Sequence, residues 1–373
     1  MSSSTNSSEA APSPARPSHW ETYLLLARCL RGCVSGESAA LPVAVSWEGL
    51  IAAAGHHLVT PALAWCLRDD AALPAPVRQY LETVATLNRQ RNVLLHEVLL
   101  ACLRPLNAAG ITPVLLKGIA SLESRLYPEA GLRVLADIDL LVPLAEAKAA
   151  YAHLLHAGLQ PAGLGTREVY GERFHHLPAL RHVASGITVE VHRRVLTEAY
   201  DGLVPAAVAL QCSTPLRIDD CAARLLSPTD RFAHALAHTQ LQDGNFARGT
   251  PELRQLLELA LLASRFGAAI DWPAVSQRFT VNGQRTALQE TCAITTRLFA
   301  VPFPAAIASV SGDPLARVQR RLQRRVGMPL PLLWSLADTI RHRPAKLLGL
   351  LDPRTLAAYA ARVPGYVRQY RWK

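Results

Sequence analysis

Apolar positions along the chain change their spacing twice, from helical to strand-like near Gly110 and back to helical near Ser227. Between His19 and Leu30, Tyr23, Leu26 and Leu30 recur at helical spacing, and the spacing predicts a helix. The same period runs from Trp47 to Leu67 and is interrupted at Pro61, a residue with no N–H to give. Pro74 and Pro76 open a longer stretch, in which Val77, Leu81, Val84, Leu95, Val98, Leu99 and Leu103 stripe one side. Residues 19–108 therefore read as a helical leader packed on the core that begins at Gly110. From Gly110 the pattern shortens. Ile111 to Leu116 is an apolar run closed by Gly118, and Val134 to Val142 is a second, broken only by Asp137 and Asp139. Both read as buried strands. Between them Ile119, Leu122 and Leu126 make one stripe of a short helix.

Pro143 opens a helix expected over Leu144–Ala157 and ended by Gly158, with Glu146 in its first turn. Leu177–Val183 and Ile187–Val191 flank Ala184-Ser185-Gly186, a hairpin signature. Ser227-Pro228-Thr229-Asp230 supplies a helix cap with proline at the first helical position. Helical patterns then cover Pro251–Phe266, Trp272–Phe279 and Gly283–Phe299. The expected fold class is α+β. A small mixed sheet within residues 109–220 is flanked by the leader, by a helical lid over 221–310 and by a helical segment over 311–373. Residues 1–18 are Ser, Thr, Asn, Ala and Pro with little to bury, and are expected to be a disordered tail.

Composition refines this picture in three ways. Half of the residues are apolar and only 6% aromatic, so Leu and Ala fill the core and favour helices. No run of 18 uncharged apolar residues occurs, and no membrane-spanning helix or signal peptide is expected. The seven cysteines are scattered without a Cys-x-x-Cys, which reads as reduced core thiols of a cytoplasmic protein. Charge is the uneven property. Residues 313–373 carry 13 Lys/Arg against 3 Asp/Glu, and the other 26 of each sign cancel, so the whole net +10 lies there. That segment is either a docking surface for an acidic partner or a solvated basic helix face. Because it lies outside the expected core, a nucleic-acid polymerase is disfavoured.

The candidate chemistry sits around the second apolar run. Side chains alternate along a strand, so Asp137 and Asp139 share a face and Ile138 takes the other. Neighbouring carboxylates repel unless a cation lies between them, and hard oxygen ligands suit Mg²⁺ held with substrate phosphates. Gly118 opens a helix whose N–H groups can meet an anion, with Lys117 beside them. Arg133 can fork onto phosphate oxygens. Glu190 and His192 alternate with Val189 and Val191, so they too share a face. Pairing of that hairpin beside the aspartate strand would bring Glu190 to Asp137 and Asp139. His234 and His238 stand at i and i+4, but no zincin glutamate or third zinc ligand accompanies them. A lid that carries His238 toward nucleotide or acceptor is the better reading.

The order strand, Lys117-Gly118, helix, Tyr127-Pro128, Arg133, Asp137-Ile138-Asp139-Leu140-Leu141-Val142 resembles the bacterial uncharacterised nucleotidyltransferase family. That family belongs to the DNA polymerase β-like nucleotidyltransferase superfamily. Glu190 resembles the superfamily's third carboxylate, and His192 matches a histidine common just after it. The likeness extends through Leu226–His238 and Leu253–Leu259. It departs at Lys117-Gly118, where many superfamily members have Gly-Ser, and at Glu258, where relatives more often have Asp. The resemblance implies a transferase dependent on Mg²⁺, with Mn²⁺ possible. Asp137, Asp139 and Glu190 would be its catalytic and metal-binding carboxylates. Lys117, Gly118, Ser121 and Arg133 would bind a nucleoside triphosphate, ATP foremost. His192 and His238 would contact acceptor or lid. The acceptor could be a small molecule, a peptide or a protein. The alternatives are a non-catalytic nucleotide-binding or interaction protein on the same fold, and a transferase that uses a nucleotide-sugar donor.

Overall fold

The structure is a computed structural model that describes residues 18–324, apart from 38–40, 43, 163–173 and 250. The expected tail before Ser18 and the basic segment beyond Arg324 lie outside the described residues. The first helix, His19–Leu30, starts with a reciprocal cap. The Glu21 N–H donates to Ser18 Oγ at 3.2 Å, and the Ser18 N–H donates to Glu21 Oε2 at 2.7 Å. The next helical stretch divides into Trp47–His56 and Thr60–Cys66. The break precedes Pro61, which occupies the first turn of the second helix, where its missing N–H costs nothing. The long helix Ala75–Ala108 runs for 34 residues.

Seven strands come next among the described residues. They are β1 (Val114–Leu115), β2 (Asp137–Leu141), β3 (Gln160–Pro161), β4 (Leu180–Arg181), β5 (Thr188–His192), β6 (Thr214–Ile218) and β7 (Cys221–Leu225). They form one mixed sheet in the order β3-β4-β5-β2-β1-β7-β6, and the α+β expectation holds. β5 runs parallel to β2 with Asp137 opposite Thr188, Asp139 opposite Glu190 and Leu141 opposite His192. β1 lies antiparallel on the other side of β2. The expected hairpin is β4–β5, closed by Gly186 at φ 72°. A second hairpin, β6–β7, was not expected. Its outer strand is largely exposed and contains Pro215 and Arg217, so it lacks an apolar run, and proline is tolerated there because the strand is an edge.

The sheet is buried on both faces. Leu115, Ile138, Leu140, Val189 and Val191 join a core beneath the second half of the long helix and the helix Ala147–His156. Val114, Leu116 and Leu141 join the other core, which the N-terminal helices share with the helices Pro228–Leu236, Leu253–Phe266 and Arg285–Phe299. Tyr23 Oη donates to the Pro251 carbonyl at 3.1 Å across that second core. The leader thus packs on the C-terminal helices as well as on the sheet.

One further contact positions the site. The chain from Ala130 to Ala136 has no ladder of its own, and its carbonyls need partners. Asn88 Nδ2 donates to the carbonyls of Gly131 at 2.6 Å and Arg133 at 3.1 Å. Asn92 Nδ2 donates to Ala130 at 2.6 Å and Arg133 at 2.9 Å. Arg91 Nε donates to Leu135 at 2.9 Å. The long helix therefore holds the segment that leads into β2.

Candidate active site

Ile138 and Leu140 point into the core under the long helix, which turns Asp137 and Asp139 to the opposite face of the sheet. The parallel register then sets Glu190 beside Asp139, and His192 one position further along the same face. His192 Nε2 lies 2.8 Å from Asp139 Oδ1 and 3.4 Å from Glu190 Oε2. Lys117 Nζ donates to the same Asp139 oxygen at 2.6 Å. One donor atom from each of Asp139, Glu190 and His192 lies within 4.8 Å of the other two. Asp139 Oδ2 is buried and has no hydrogen-bond partner. Two carboxylates and an imidazole at this spacing, one with an orphaned oxygen, suit a divalent cation. Asp137 shares the face, is half-buried and feels the charges of Asp139, Lys117 and Glu190. The three residues whose donor atoms come together are Asp139, Glu190 and His192, and Asp137 stands beside that group.

The charges are strongly coupled. Burial and then the Asp139 carboxylate push Asp137 up to about 6, against the pull of Lys117. Burial alone would raise Asp139 as well, but Lys117 and His192 outweigh it and hold Asp139 well below the usual carboxylate range. Burial also acts to raise Glu190, and the hydrogen bond from His192 brings it below its ordinary value. For His192 burial acts downward, and the bonds to Asp139 and Glu190 keep it above the usual imidazole value. Lys117 likewise stays charged, because Asp139, Asp137 and Glu190 overcome its desolvation.

Lys117 takes φ 49°, a left-handed conformation that costs a non-glycine residue about 1 kcal/mol. Gly118 is required for a packing reason. A Cβ there would stand 2.8 Å from Leu135 Cδ2 and 3.0 Å from its Cγ. The helix it opens, Lys117–Glu123, has seven residues and is buried through Ser121. Ser121 and Arg133 meet Glu258. Ser121 Oγ donates to Glu258 Oε1 at 2.7 Å, and Arg133 Nε donates to Oε2 at 2.8 Å. Arg231 Nη2 adds donors to the Ala120 carbonyl and to Ser121 Oγ, both at 3.3 Å. Glu258 is therefore a hub that pins the Leu253–Phe266 helix to the Lys117 helix. The sequence marked it only as a departure, where relatives more often have Asp. Its one signal was an acidic residue within the apolar run Leu256-Leu257-Glu258-Leu259.

His234 and His238 approach the cluster from the helix opened by Ser227, whose continuation Ala237–Gln242 widens into a π-helical turn, a feature frequent at functional sites. His234 is buried, has no partner at Nε2, and is pushed down to about 3 by burial and then by Lys117. His238 Nδ1 lies 3.4 Å from Asp243 Oδ2. Two further histidines belong to the site and were missed. The Val191 carbonyl accepts from the Leu177 N–H, and His176 bridges to His192. His175 and His176 therefore stand with ring centroids 5.2 and 5.3 Å from that of His192. Nothing in their own spacing signals this, since the pairing partner is the end of β5.

A mixed sheet that brings paired carboxylates, an imidazole and a half-buried lysine together defines an α+β protein with a candidate divalent-cation centre. A family described as uncharacterised nucleotidyltransferase matches residues 44–300, about two thirds of the chain, and the chain belongs to that family. No curated protein and no solved structure matches it. The matched span takes in the Trp47–His56 helix, the whole sheet and the Arg285–Phe299 helix. Among the described residues no helix is long and apolar enough to cross a membrane. All seven cysteines are free thiols, and only Cys212 is exposed.

Proposed function

We propose that this chain moves a nucleoside monophosphate from a nucleoside triphosphate, ATP foremost, to an acceptor hydroxyl or phosphate, with release of pyrophosphate. The observation that carries the reading is the β2–β5 register, which sets Glu190 against Asp139 beside Lys117 in a member of a nucleotidyltransferase family. The arrangement is taken to be that of the DNA polymerase β-like superfamily. Asp139, Glu190 and Asp137 would hold the divalent ion, Mg²⁺ or Mn²⁺. When bound, such an ion neutralises triphosphate charge and favours the ionised acceptor.

The chain's own residues do the positioning. Lys117 is the cation nearest the carboxylates and presents a point charge to the phosphates. Ser121 and Arg133, committed to Glu258, hold the helix that carries Lys117 and the Gly118 backbone. Glu190 is more accessible than Asp139, its side chain 21% exposed against 1%, and it favours loss of the acceptor's proton to solvent. The acceptor oxygen bonds to the α-phosphorus as the bond to the bridging oxygen breaks. Pyrophosphate leaves with that electron pair. His238, on the helix opened by Ser227, would contact the acceptor or act in a lid.

The test is pyrophosphate release from ATP in the presence of Mg²⁺ or Mn²⁺ and cell extract, with product mass to identify acceptor and added group. Asp139→Asn should lower the rate about 10³-fold, a loss of about 4 kcal/mol of transition-state stabilisation. Near-normal turnover by that variant removes Asp139 from the reaction. A thermal shift with ATP but no pyrophosphate from any extract would replace transfer with nucleotide binding alone.

A further inference from the structure

His192 goes beyond the three carboxylates of the proposed reaction. Its Nε2 stands 2.8 Å from Asp139 Oδ1 and 3.4 Å from Glu190 Oε2. Donor atoms about 2.1 Å from one ion, at a right angle to each other, are separated by about 3 Å. The two observed separations therefore have the length of coordination edges. The other ring nitrogen, Nδ1, faces the Arg194 carbonyl at 3.4 Å. A ligating imidazole commonly donates that second N–H to a backbone carbonyl, which leaves the Nε2 lone pair for the ion. His192 and Asp139 are both 0% exposed, so neither has water as an alternative partner. The second oxygen of Asp139 is buried with no partner at all.

We propose that His192 Nε2 is a direct ligand of the cation, with Asp139 and Glu190, and that this nitrogen selects a first-row transition ion such as Mn²⁺ over Mg²⁺. The chemistry is that of donor preference. Imidazole binds first-row transition ions and is a poor ligand for Mg²⁺, whereas carboxylates bind both. Ligation needs the Nε2 lone pair, so any proton on that nitrogen passes to solvent as the ion binds. The inference rests on the reading of this cluster as a cation centre, and the experiment separates the two.

The full chain is stripped with chelator and loaded with Mn²⁺. Pulsed electron paramagnetic resonance should show a coupled ¹⁴N nucleus, which becomes a ¹⁵N coupling when the protein is grown on ¹⁵N-histidine. The isotope arm needs no substitution. His192→Gln should lose the nitrogen coupling while Mn²⁺ stays on the carboxylates. Competition should show Mn²⁺ preferred over Mg²⁺ by more than about 10-fold in the native chain, with the ratio reduced several-fold in His192→Gln. Bound Mn²⁺ with oxygen ligands only overturns nitrogen ligation and leaves the transfer reading intact. No Mn²⁺ binding, with or without ATP, overturns both.

Discussion

The Lys117–Asp139 pair sets the electrostatics of the carboxylate cluster, and its energy can be measured without any substrate. The two groups meet at 2.6 Å with side chains 19% and 1% exposed. Loss of one partner of a buried pair typically costs about 3–5 kcal/mol, because the other charge is left without its counterion. Here Asp139→Asn leaves Lys117 with Asp137 and Glu190, and Lys117→Met leaves Asp139 with His192. Each single change should therefore cost near the lower end, about 3 kcal/mol. The double variant carries neither charge and should cost less than the sum of the two, with a coupling of about 2 kcal/mol. Urea unfolding followed by circular dichroism reads all four proteins. Additivity within about 0.5 kcal/mol would mean that the two groups do not interact in solution, and the charge arrangement derived for the cluster would fall with the pair.

The same geometry fixes other outcomes. Glu258→Gln removes the carboxylate that faces Arg133, Ser121 and Arg231; it should cost about 3 kcal/mol in urea unfolding, and an unchanged midpoint would release Arg133 from its structural role. Gly118→Ala drives a methyl into Leu135 and should cost about 1–3 kcal/mol, and less than that in a Leu135→Ala background, where both clashing carbons are gone; an equal cost there would place the need for glycine elsewhere. For pH, burial and then the charge of His56 push His57 down from 6.5 to about 3, and its Nδ1 accepts the Leu253 N–H at 3.5 Å. The unfolded chain binds this proton first, so the contribution is fully present above pH 6.5 and is lost as the pH falls toward about 3. The slope from this one group is at most about 1.4 kcal/mol per pH unit. His57→Leu should flatten the urea midpoint against pH, and an unaltered slope would show that His57 does not carry it.

What could be read in advance depended on whether a residue's partner was local. The alternation of Asp137, Ile138 and Asp139, the Ala184-Ser185-Gly186 turn and the Ser227-Pro228 cap each state their geometry within a few positions. The structure agrees with each of them. Glu190 was reachable because alternation and one pairing assumption placed it. The role of Glu258 was not, since its partners lie 137 and 125 positions away. For the same reason a positive charge at Arg133 or Lys117 could be seen but not what neutralises it. Arg133 was expected on phosphate and is hydrogen-bonded to Glu258. The β6–β7 hairpin escaped because its exposed outer strand has no apolar signature.

The asparagine clamps on the long helix carry a consequence for insertions. Asn88 and Asn92 grip the loop before β2, while Leu95, Val98, Leu99 and Leu103, on the same rod, lie in the sheet core. An α-helix advances about 100° per residue. A single residue inserted between Asn92 and Leu95 would swing the amides a quarter-turn away from the loop while the leucines kept their places. The aspartate strand would then enter the sheet without its guide rail. Insertions before Val77 leave that phase alone. The rod is thus permissive at its start and keyed along its second half, like a spindle whose angular setting, more than its length, aligns the carboxylate-bearing face.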